Sequence, residues 1–130
     1  MKTTPLLEHR PRTIQVVLAV VVPAVFGAIT GYFLGISEGV YIVLSILAFL
    51  GGIGAGFDHD GAAAGAKRGL LGGTLFGAFL LIGHEIHGAT AEAHLPEPAI
   101  VLVVITAVLG VLLGALGGWL RGRMETRAAR

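Results

Sequence analysis

The sequence predicts an all-α integral membrane protein with four transmembrane helices. Three observations lead there. Hydrophobic residues make up 55% of the 130-residue chain and charged residues only 13%, about half the charged share of a soluble domain. The mean hydropathy is +0.85, and a soluble domain of this length could not hide that much apolar surface. The apolar residues also gather into four segments without a single charge: Ile14–Leu34, Val40–Phe57, Gly69–Gly83 and Ala99–Leu120. None alternates apolar with polar residues as a lipid-facing barrel strand would, which excludes strands.

A bilayer core of ~30 Å takes about 20 helical residues to cross. The first and fourth segments are long enough and the second is adequate. The third spans roughly 22 Å at 1.5 Å per residue. Its flanks therefore belong near the membrane boundary, with Lys67 and Arg68 snorkelling at one end and His84 and Glu85 at the other. With flanks included, the helices are expected at about 14–35, 40–57, 61–88 and 98–121 of a single domain spanning 1–130. Pro23 removes a backbone donor from the middle of the first helix and is expected to kink it. Asp60 is the expected N-cap of the third helix, which would then protrude by about two turns, and Pro98 the expected start of the fourth. The opening "MKTTPLLEHRPR" is a basic leader, and the apolar run after it is too long for a cleaved signal, so it is expected to be retained.

Orientation follows from the 9 basic residues. Lys2, Arg10 and Arg12 precede the first helix. Lys67 and Arg68 lie between the second and third, and Arg121, Arg123, Arg127 and Arg130 follow the fourth. All fall on one side of a four-helix path. The positive-inside rule places that side, and both termini, in the cytoplasm of a cell whose plasma membrane the chain spans. Lys67, Arg68, Arg121 and Arg123 are the expected anchors at the inner surface.

Glycine recurs every fourth residue in three of the helices. The ladders are Gly27, Gly31, Gly35 (with Gly39 beyond), then Gly61, Gly65, Gly69, Gly73, Gly77, and last Gly110, Gly114, Gly118, Gly122. The second helix adds Ala48, Gly52 and Gly56. Glycine is a poor helix former in water. In lipid, helices associate through close van der Waals contact, and small residues let backbones approach. The ladders are thus expected to be helix-packing seams. Their number suggests that some serve contacts between copies in a homo-oligomer. The alternative is that some glycines line a narrow path and expose their backbone to it.

Chemistry is sparse. The absence of cysteine excludes disulfides, thiolate nucleophiles and cysteine-ligated metals. There is no GxSxG, no P-loop and no GxGxxG in a strand–helix context, so no enzymatic activity and no cofactor are expected. No acid or base sits in mid-membrane, where ion-coupled transporters place one. The basic residues are scattered over three segments with little aromatic interleaving, which argues against nucleic-acid binding. "GHEIHG" is the most chemical stretch. His84 and His87, three apart on one helix face, could form an outer mouth or pH gate with Glu85, or a metal site together with His94. In "FDHDG", Asp58, His59 and Asp60 suit a cap and turn, or a cation site. Small multidrug exporters are similar to this chain only in size, since their embedded glutamate has no counterpart in its first segment.

Three functions remain open at this point. The leading one is a passive channel for an ion or small solute, built from several copies. The alternative is a non-transporting accessory subunit that packs against lipid or a larger membrane complex, and the third is a metal-binding protein that uses the outer histidines.

Overall fold

The computed structural model describes residues 9–88, 90–93 and 95–129. Lys2, Glu8, His94 and Arg130 lie outside the described residues. The chain is all-helical, with four helices long and apolar enough to cross a membrane: α1 (Arg12–Leu34), α2 (Glu38–Phe57), α3 (Ala62–His87) and α4 (Val101–Ala128).

Each boundary has a local cause. Helix α1 contains one π-helical turn at Val17–Val21, directly before Pro23. In that turn the Val22 N–H reaches back to the Val17 carbonyl, five residues away. The next bond in this register would run from residue 23 to Leu18, and proline has no N–H to make it. The ring and the missing donor are thus absorbed by one widened turn. Ser37 starts α2, its hydroxyl accepting the Val40 N–H at 3.4 Å, with Glu38 placed favourably in the first turn.

Helix α3 starts at Ala62, and its N-cap is Gly61, at φ +90° and without a side-chain cap. Only glycine adopts that backbone readily. The expected capping by Asp60 is therefore corrected: the tight reversal out of α2 takes Gly61 into the cap position. Gly88, at φ +76°, ends α3 in the left-handed cap conformation that glycine favours. Helix α4 begins three residues after Pro98, behind a turn in which the Val101 N–H bonds the Pro98 carbonyl at 3.0 Å. It continues to Ala128, about two turns past the uncharged apolar segment that ends at Leu120 and past the expected end at residue 121.

Helices α3 and α4 form the most extensively packed pair, followed by α1 with α3 and α2 with α4. The glycines of these helices meet backbone. A Cβ at Gly69 would overlap the Gly110 carbonyl, and one at Gly110 would overlap that of Gly69. Gly65 and Gly114 stand in the same reciprocal relation. Gly27 and Gly31 of α1 face the Phe76 and Leu80 carbonyls of α3, and Gly56 of α2 faces Gly114 of α4. These neighbours all lie within the same chain. Gly35 sits just past the end of α1, as its C-cap. Gly52 meets only the Leu113 side chain, at 3.4 Å.

One end of the bundle, the His end, is filled. Leu34, Leu80 and Leu102 are buried together there. The α3–α4 connection folds over them, with Ala91, Ala93 and Leu95 packed against the cluster. The Glu92 N–H, bonded to the Leu34 carbonyl at 2.8 Å, ties this connection to the end of α1. Along the helices, Thr30 and Thr74 donate to carbonyls one turn back (Phe26 and Leu70, both at 2.7 Å), which disposes of their hydroxyls locally.

Gly69→Ala is expected to lower stability by about 1–3 kcal/mol, since the added methyl meets backbone that cannot turn aside. Gly54→Ala, where an added Cβ meets nothing within 4 Å, is expected to leave stability unchanged or raise it by about 0.5–1 kcal/mol. Thermal melts in detergent, followed by far-UV circular dichroism, read both.

Candidate functional site

The opposite end, the Arg end, brings together residues far apart in sequence. Arg68 lies six residues into α3, roughly 9 Å along its axis at 1.5 Å per residue. Lys67 is exposed. Arg68 is not: only 8% of its surface remains accessible. The expectation that it snorkels outward is corrected, and the reason is steric as well as polar. Successive helical residues point about 100° apart, so Lys67 and Arg68 cannot share a direction. Gly72, one turn on, leaves room for the guanidinium, because a Cβ there would come within 2.8 Å of Nη1. Arg68 Nη2 donates to the Leu18 carbonyl at 2.6 Å. This is the acceptor that Pro23 leaves without a backbone donor. The Arg68 Nε is buried and has no hydrogen-bond partner among the described residues.

Arg68 and Gly72 border a cavity of about 420 Å³ that all four helices line. Its walls are mainly apolar, with Pro23 and Phe26 from α1, Leu47 from α2 and Leu113 from α4. Asp58 also borders it and is the carboxylate whose charge acts on Arg68. The close partner of Asp58 is Arg10, whose Nη2 donates to Oδ1 at 3.2 Å. The cavity therefore combines a buried guanidinium with a hydrocarbon-like wall.

Arg121 is the second arginine to turn inward, at 2% exposure. Its Nη1 donates to the Phe57 carbonyl at 2.9 Å, and its Nε to Glu125 Oε1 at 2.8 Å. Phe57 ends α2, so the guanidinium satisfies a terminal carbonyl and complements the negative end of that helix. The expected surface anchor is thus an interhelical clamp. Arg123 remains exposed and lies over the Trp119 ring at 4.9 Å.

At the His end, Glu85 is exposed while His84 and His87 are half-buried. The His87 ring meets Tyr32 edge-on at 4.6 Å between centroids. The Nδ1 atoms of both histidines are buried and have no hydrogen-bond partners among the described residues. His94, the third member of the expected metal group, lies outside the described residues. Among the described residues, no three His, Asp or Glu side chains come close enough to hold a metal ion. In the "FDHDG" stretch, the His59 Nδ1 bonds the Ala55 carbonyl at 3.1 Å, and Asp60 is exposed.

No family model, curated protein or solved structure matches the chain.

The inward turn of the two arginines left a faint trace in the sequence. Arg68 is flanked by Gly69 and followed one turn later by Gly72, the side of α3 that carries little bulk. Their acceptors, 50 and 64 residues away, left none.

Arg121→Ala is expected to destabilise the protein by about 1.5–3 kcal/mol through loss of its charged hydrogen bonds. Arg123→Ala, which removes an exposed cation–π contact, is expected to cost less than about 1 kcal/mol. Chemical denaturation in mixed micelles compares the two.

Proposed function

We propose that the chain is a membrane-embedded accessory or scaffold unit that packs against lipid or a larger membrane protein, and that it does not transport by itself. In this reading both termini and the Arg end face the cytoplasm, as the one-sided placement of basic residues favours. The glycine ladders act as packing seams within the subunit. The observation that carries the reading is the closed His end. Leu34 and Leu80, at 0% and 1% exposure, stand with Leu102 across the bundle beneath the α3–α4 connection. A solute entering the cavity would meet this apolar plug.

The outer surface supports the same reading. Helix α2 exposes Ile42, Val43, Ile46 and Leu50, a broad aliphatic face suited to lipid or to another transmembrane helix. The seams also give less reason to invoke a homo-oligomer, since backbone of the same chain occupies the space beside them.

A passive conduit is the second reading. It draws on the cavity, which reaches all four helices and has Gly69, Gly72 and Gly73 in its wall. In that case His84, Glu85 and His87 would form the mouth, and the leucine plug would have to move aside.

Proteoliposomes separate the two. The accessory reading expects chloride, potassium, proton and glycerol fluxes equal to those of protein-free vesicles. A flux above that background, reduced when Leu80 is replaced by phenylalanine to enlarge the plug, would overturn it in favour of a conduit.

A further inference from the structure

We propose that the four-helix cavity is a binding site for one anionic lipid, with the headgroup on Arg68 and an acyl chain running inward along α3. The proposal rests on the membrane placement argued above, and it holds whether or not the protein conducts.

The first argument is the state of Arg68. It is more than nine-tenths buried, and among the described residues its direct hydrogen-bond partner is the neutral carbonyl of Leu18. Asp58, the carboxylate that acts on it, is engaged at close range by Arg10. Nε has no hydrogen-bond partner among the described residues. A buried cation normally has an anion at hydrogen-bond distance, because desolvation is costly without one. The guanidinium fork suits a phosphate or carboxylate, which can accept two of its N–H groups at once.

The second argument is the shape and chemistry of the space next to it. Arg68 lies near the start of α3, at the depth expected for a headgroup of the cytoplasmic leaflet. From there the cavity extends past Gly69, Gly72 and Gly73 to Phe76, about 12 Å deeper at 1.5 Å per residue. Leu47, Phe26 and Leu113 complete an apolar wall. Its volume of about 420 Å³ is within the usual range of ligand pockets, ~300–1,000 Å³. A free inorganic anion would use Arg68 and leave this apolar length unfilled. A zwitterionic lipid would fill the length but bring a second cation toward an arginine. An anionic lipid satisfies both features.

The third argument is that the pocket is built into the backbone. Pro23 and the π-helical turn expose the Leu18 carbonyl, which holds Arg68 inward. Gly72 leaves room for the guanidinium, so the charge stays deep instead of reaching the surface.

The test uses the full chain in nanodiscs of equimolar phosphatidylglycerol and phosphatidylcholine, with retained lipid counted by native mass spectrometry. The wild type is expected to keep one phosphatidylglycerol per chain, at about tenfold preference over phosphatidylcholine, the discrimination that one charged hydrogen-bonded contact supplies. Arg68→Gln is expected to abolish the preference, and Arg68→Lys to retain part of it. Ala48→Phe, which extends a cavity-lining methyl, is expected to displace the lipid with Arg68 intact, provided its thermal melt matches wild type. Millimolar inorganic phosphate is expected to displace nothing. Equal retention of the two lipids by the wild type would overturn the proposal. So would undiminished phosphatidylglycerol retention by Arg68→Gln or by a natively melting Ala48→Phe, or displacement of the lipid by phosphate, which would mark a free-anion site. Lipid retention is read without reference to flux, so its failure leaves the accessory reading standing, and flux alone would not remove the lipid site.

Discussion

Helices α3 and α4 approach until main chain meets main chain, and much of the structure depends on that contact. At Gly65 with Gly114 and at Gly69 with Gly110, each glycine occupies space where a side chain would overlap the carbonyl of the other. Such contact maximises dispersion between the helices. It also thins one side of α3. Gly69, Gly72 and Gly73 contribute almost no bulk to the wall they share, and the cavity lies against them. The cavity borders the contact itself, since Gly69, Gly73 and Gly110 belong to both.

The Arg end is organised by carbonyls that lack backbone donors. Proline creates one at Leu18, and the end of α2 creates another at Phe57. Each receives an arginine from a distant helix, at 2.6 and 2.9 Å. The two differ in completeness. Arg121 also has the Glu125 carboxylate, whereas Arg68 has a neutral acceptor and an orphaned Nε beside an apolar cavity. That difference separates an arginine that joins helices from one whose guanidinium borders a cavity.

The His end has the opposite character. Leucines and the α3–α4 connection close it, and its histidines lie at the margin, His87 against Tyr32. Among the described residues, the bundle is thus filled with leucines toward the His end and hollow toward the Arg end. The exposed aliphatic face of α2 adds a second surface at which lipid or another helix could lie.

The sequence by itself determined the helical class and the presence of four helices long and apolar enough to cross a membrane, because hydropathy and length are local quantities. It also marked Pro23 as a disturbance and the glycines as places of close approach. Tertiary structure alone decided what each of these meets. Gly69 finds Gly110, the gap at Leu18 finds Arg68, and Arg121 finds Phe57. These pairings depend on how four helices are rotated against one another, which a spacing of four residues does not specify. The same rotation decides the direction of two adjacent cations. Lys67 faces outward and Arg68 inward, and it is the inward one that lines the cavity.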